Sequence, residues 1–173
     1  MENKNIFLIG FMGCGKSTMA KILSEEMGWK LIEMDETIEA EAGMSINKIF
    51  ELYGESHFRD LESTLVERIA AEGGAVVSCG GGVVLREQNV ETMKKTGKIV
   101  YLSATPETIY EHVKDSTNRP LLNGNMNVEH IRNLMEKRLP IYEKAADEII
   151  CVDKKEKLEI AKEIIACAKG KEY

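Results

Sequence analysis

The sequence predicts an α/β domain, a parallel sheet with helices packed on both faces. Three observations carry this. Five short apolar runs recur along the chain, at Asn5–Ile9, Lys30–Glu33, Ala75–Cys79, Lys98–Leu102 and Glu148–Val152. Longer amphipathic stretches separate them, which is the rhythm of strand–helix–strand crossovers. The first run leads directly into a glycine-rich turn followed by a helical pattern.

Each element has its own local reason. Lys16–Met27 reads as a helix closed by Gly28, since glycine adopts the left-handed conformation that ends helices. Glu36–Ala42 has Asp35 at an N-cap position and Gly43 at its end. Phe58, Leu61, Leu65 and Ile69 fall on one face of a further helix. Thr105-Pro106-Glu107 reads as a cap with proline at the first helical position, and Asp153 to Glu156 as a capping box before the last helix. Two stretches break the rhythm. Asp35–Gly54 and its following helix are long for one crossover, which predicts a substrate-binding insertion over about residues 35–62. The polar stretch Ser116–Asn127 predicts a mobile loop, a lid over about 114–127.

With 173 residues the chain predicts one domain spanning 1–173. Its 43% hydrophobic and 30% charged residues allow a buried core and exclude wholesale disorder. No run approaches the ~20 apolar residues that a membrane helix needs, and mean hydropathy is −0.24. A net charge of −6 argues against a nucleic-acid backbone as partner. The N-terminal apolar stretch, Ile6–Ile9, is too short for a signal peptide. Cys14, Cys79, Cys151 and Cys167 form no CxxC pair, so reduced thiols in a cytoplasmic monomer are expected.

Gly10-Phe11-Met12-Gly13-Cys14-Gly15-Lys16-Ser17 matches GxxxxGK[ST], and Thr18 follows. Such a loop between strand and helix curls so that successive backbone N–H groups face phosphate oxygens. Gly13, Cys14, Gly15, Lys16, Ser17 and Thr18 are therefore the expected nucleotide ligands. Lys16 reaches the β- and γ-phosphates, and Ser17 offers a hydroxyl to Mg²⁺. A guanine-reading NKxD is missing. The third apolar run ends in Gly80-Gly81-Gly82 where a separate metal-side acid would stand, and the strand-end acids are Glu33 and Asp35. Glu33 is the expected magnesium-side carboxylate and Asp35 the acceptor-side one, which suits phosphoryl transfer from ATP to a small acceptor.

With Glu33-Met34-Asp35, Gly54-Glu55-x-x-Phe58-Arg59-x-x-Glu62, Gly80-Gly81-Gly82, Arg119-Pro120-Leu121-Leu122 and Arg138-x-Pro140-x-Tyr142 added to the phosphate loop, the chain resembles the shikimate kinase family from about Asn5 to Val152. The resemblance implies a three-layer α/β/α sandwich with strand order 2-3-1-4-5. It implies transfer of the γ-phosphoryl group of MgATP to the 3-hydroxyl of shikimate. It assigns Asp35, Arg59, Gly81 and Arg138 to shikimate, Arg119 to the phosphates as lid arginine, and Lys155 to the adenine side, while Gly80, Gly81 and Gly82 leave a strand end without side chains that a bound acceptor can approach closely. The chemistry agrees, since a planar guanidinium grips a carboxylate better than an ammonium does. Taken alone, Arg59 could also be half of a surface pair with Glu62. Two positions depart from the family: Glu33 replaces its usual Asp, and His112 stands where an arginine often stacks on adenine. The alternatives are a kinase of the same fold acting on gluconate or a nucleoside monophosphate, and a nucleotide-binding regulatory module without turnover.

Overall fold

The computed structural model describes residues 4–114 and 127–169. Its sheet has five strands: β1 (Asn5–Ile9), β2 (Lys30–Glu33), β3 (Ala75–Ser78), β4 (Gly97–Ser103) and β5 (Glu148–Cys151). All neighbours pair in parallel, in the order β2-β3-β1-β4-β5. This is the predicted architecture, with strand ends moved by a residue at β3, β4 and β5. Every residue of β1 and β3 is buried. Successive side chains of a strand face opposite ways, so burial of all of them requires helices on both faces.

Those helices are α1 (Lys16–Met27), α2 (Met34–Ala42), α3 (Ile46–Tyr53), α4 (Glu55–Glu72), α5 (Glu87–Thr96), α6 (Pro106–Val113), α7 (Val128–Ala145) and α8 (Lys157–Lys169). Helix α1 packs against α8, and α4 against α5. Phe58, Leu65 and Ile69 of α4 are buried, and Leu61 packs partly buried beside them, as the spacing predicts. Three helices, α2, α3 and α4, fill the long interval between β2 and β3. Gly28 and Gly43 end α1 and α2 in left-handed conformations, and Thr105 caps α6 by accepting from the Thr108 amide.

Two capping expectations are corrected. Helix α2 begins at Met34 with Glu33 as its N-cap, so Asp35 lies in the first turn. There its carboxylate still faces the positive end of the helix dipole. Asp153 does not form a capping box, since α8 starts only at Lys157. Its carboxylate instead accepts from the Thr105 amide at 3.2 Å and the Thr108 hydroxyl at 2.6 Å, tying the β5–α8 loop to the start of α6. Desolvation pushes the Asp153 carboxyl up, and the hydrogen bonds from Thr108, Thr105 and Cys151 together outweigh it, so the net direction is below the usual carboxylate range.

Asn5 braces the end of the sheet opposite the phosphate loop. It is 1% exposed. Its Nδ2 donates to the carbonyls of Ile69 and Thr96, and its Oδ1 accepts from the Ala75 amide at 3.0 Å. One side chain thus joins β1 to β3 and to the ends of α4 and α5. Asn5→Ala should cost about 2–3 kcal/mol in urea unfolding, because two buried backbone groups and one half-buried one lose their partner. A loss below about 1 kcal/mol would show that water replaces the amide.

Candidate active site

The C-terminal ends of β1, β2 and β3 open into one cleft of about 1590 Å³. The turn after β1 forms its floor. Gly13 and Gly15 take φ values of 79° and 97°, which residues with a Cβ adopt only at a cost. Lys16, at the start of α1, places its ammonium 2.8 Å from the Gly10 carbonyl and 3.1 Å from that of Phe11. Ser17 donates to Glu33 Oε2 at 3.0 Å, and its hydroxyl lies 3.4 Å from that of Ser78 at the end of β3. A hydroxyl and a carboxylate meeting at a helix N-terminus make a hard oxygen donor set that fits Mg²⁺ held mainly by phosphate oxygens and water. Thr18 is exposed and lines the same cleft.

The triple glycine after β3 is where the residues expected on the acceptor side meet. A Cβ built on Gly80 would lie 2.8 Å from both Asp35 Oδ1 and Glu62 Oε2. A Cβ on Gly82 would collide with the Arg59 guanidinium. Arg138 donates to the Gly81 carbonyl at 2.9 Å, and the Tyr142 hydroxyl donates to the same oxygen at 2.7 Å. Arg138 and Tyr142 are one turn apart on α7, which is why both reach one carbonyl. Two carboxylates therefore converge on Gly80, and two guanidinium groups on Gly81 and Gly82. Bare backbone leaves room for a ligand between them.

The Arg59–Glu62 pair exists, and it is not a surface pair. Glu62 is 1% exposed, and its Oε1 accepts from Arg59 at 2.6 Å. Glu55 holds the other side of the guanidinium at 3.3 Å, and the Phe58 ring lies beneath it. The pair thus fixes the direction of Arg59 in the cleft. Glu62 Oε2 is buried with no hydrogen-bond partner among the described residues. Burial pushes the Glu62 carboxyl up, Arg59 draws it down, and the nearby Asp35 charge pushes it up again; the net direction is upward. Burial likewise pushes Tyr142 up to about 12, so it stays a neutral donor.

The nucleotide side is assembled less completely. Lys155 lines the cleft, but its ammonium is bound to both oxygens of Glu163 on α8. Arg119 lies outside the described residues, as does most of the expected 114–127 lid. Sequence reasoning missed Tyr142 as a partner of Arg138 and Ser78 as a partner of Ser17. The one-turn spacing could have revealed the former; the latter depends on strand pairing that a single run does not show.

Glu62 makes a testable contribution to pH dependence. Its folded value is raised above the ordinary 4.5. In that window the folded state keeps a proton that the unfolded chain releases, so stability declines as pH rises and levels off above the raised value. Glu62→Gln should flatten this decline in urea midpoints recorded between about pH 4 and pH 7. A slope equal to that of the unaltered protein would show that the carboxyl ionises normally.

Comparisons with known proteins place the chain in a family. A family model described as shikimate kinase matches residues 12–169. The shikimate kinase of Thermodesulfovibrio yellowstonii is 44% identical over 150 residues, which cover 87% of this chain and 85% of the relative. That of Dehalococcoides mccartyi is 41% identical over 165 residues, covering 95% and 93%. Among solved structures, shikimate kinase from Acinetobacter baumannii in complex with shikimate superposes with a TM-score of 0.86 at 31% identity, covering 94% of this chain and 90% of that one. Strand order, phosphate loop and sequence all lead to one assignment: the chain belongs to the shikimate kinase family of phosphotransferases.

Proposed function

We propose that the protein transfers the γ-phosphoryl group of ATP to the 3-hydroxyl of shikimate, a step of the shikimate pathway, with the residues around the triple glycine holding the acceptor. The observation that carries this reading is the convergence at 80–82: carboxylates at one end, guanidinium groups at the other, and Ser17 with Glu33 alongside. A small acid bearing hydroxyl groups matches that polarity.

Arg59 and Arg138 grip the acceptor's carboxylate as planar donors, Arg59 in a direction set by Glu55 and Glu62. Gly80, Gly81 and Gly82 let the ring approach the backbone. Asp35 orients the accepting hydroxyl and takes its proton as the phosphoryl group arrives. The amides of Gly13, Gly15, Ser17 and Thr18 cradle the phosphates, with Cys14 shaping the turn between them, and Lys16 neutralises charge on them. Ser17 and Glu33 hold Mg²⁺, which when bound offsets the charge of the β- and γ-phosphates. Arg119 serves as the lid arginine over about 114–127, Lys155 lies on the adenine side, and the insertion over about 35–62 closes on the acceptor to exclude water. We read the working unit as a single kinase domain acting as a cytoplasmic monomer.

ADP release measured in parallel with shikimate, gluconate and AMP tests the proposal. Release with shikimate alone is expected; release with none would indicate a regulatory nucleotide-binding module. Asp35→Asn should lower kcat by about 100-fold or more while shrinking shikimate affinity far less. A change in KM alone would remove Asp35 from the proton transfer. Arg59→Lys should raise the shikimate KM by about tenfold or more, because one ammonium cannot reproduce the fork. An unchanged KM would leave Arg59 only its structural contact with Glu62.

A further inference from the structure

We infer that His112 is a positioning residue that pre-sets the phosphate loop by donating from Nδ1 to the Gly13 carbonyl. The two atoms are 2.6 Å apart, across 99 residues of sequence. A carbonyl oxygen only accepts, so Nδ1 carries the hydrogen.

The contact fixes more than one atom. In a planar trans peptide the Gly13 carbonyl and the Cys14 N–H point in opposite directions. Holding the carbonyl therefore holds the amide, which donates to Phe11 at 3.2 Å and closes the turn. Gly13 takes φ 79°, where glycine has unusual freedom to rotate. The helix bearing His112 is well suited to restrain it. Val113 and Ile109 of α6 press on Gly13 so closely that a Cβ there would lie 2.5 Å from Val113 Cγ1. The other end of α6 is tied by Thr105 and Thr108 to Asp153, in the loop carrying Lys154 and Lys155. Helix α6 thus spans from that loop to the phosphate loop, anchored independently of His112. Replacing His112 leaves the helix in place and frees the Gly13 peptide. Ordering that peptide would then fall on the nucleotide and weaken its binding.

The inference rests on nucleotide binding at the phosphate loop, and calorimetry of ADP with the full chain tests both. Three variants separate the hydrogen bond from the ring. His112→Asn places a donor nitrogen at the same distance from the backbone as Nδ1. His112→Gln moves it one bond further out. His112→Phe keeps a flat ring and removes the donor. His112→Phe and His112→Gln should bind ADP about five- to tenfold more weakly, while His112→Asn stays within about twofold of the unaltered protein. The KM for ATP should follow the same order, with the shikimate KM and the ligand-free Tm unchanged. His112→Phe binding ADP normally, or His112→Asn losing as much as His112→Phe, would overturn the inference alone. Failure of the unaltered protein to bind ADP would overturn the phosphate-loop reading with it.

Discussion

Parallel insertion of β3 between β1 and β2 is the constraint on which the site depends. Ser78 is in register with Leu8 on one side and Glu33 on the other. The chain therefore leaves all three strands at nearly one level, into the phosphate loop, the acidic turn of α2 and the triple glycine. Ser17, Glu33 and Ser78 meet because of this alignment. Slipping β2 by one residue would turn Glu33 to the other face of the sheet and separate it from Ser17. Asn5 guards the register from the far end. It bonds the first amide of β3, and its carbonyl occupies the space where a Cβ on Gly97 would sit.

Around the triple glycine, charge is arranged at some cost to the fold. Two carboxylate oxygens beside one glycine repel each other, and Glu62 is buried with one oxygen unpartnered. A buried carboxylate is tolerated when an ion pair holds it, and Arg59 supplies that pair at 2.6 Å. Because Glu55 and Glu62 flank it, the guanidinium is fixed in direction before any ligand arrives. Arg138 is steadied differently, by a backbone carbonyl that it shares with Tyr142. Perturbed, partly compensated charges of this kind mark binding sites more often than structural cores.

Much of this was legible in the sequence, for reasons that differ by element. The strands were visible because fully buried parallel strands are continuous apolar runs. The phosphate loop was visible because its chemistry needs particular residues at fixed spacing. Asp35, Arg59 and Arg138 stood out through family resemblance, and their meeting place could not be read from one chain. It depends on α4 and α7 delivering side chains to the end of β3 from distant parts of the sequence. Spacing also misled. Arg59 and Glu62, three residues apart, look like a surface pair, and the pattern says nothing of burial. Asp153 has the spacing of a capping box, yet the Thr105 amide and Thr108 hydroxyl offer it better donors across the fold.

Glu33 shows how a contact across the fold overrides a local rule. It occupies the N-cap of α2 in extended conformation, where a short polar side chain would normally accept from the helix amides. Its side chain makes no cap hydrogen bond. The carboxylate turns to the Ser17 hydroxyl instead. Helix α2 keeps other support, because Thr37 donates to the Glu33 carbonyl and Asp35 and Glu36 complement the dipole of its first turn. From the end of β2, Glu33 reaches the Ser17 hydroxyl directly, at 3.0 Å. The Ser17–Glu33 oxygen pair is thus formed in place of a side-chain cap on α2, whose first turn is held by Thr37 and by its own acidic residues.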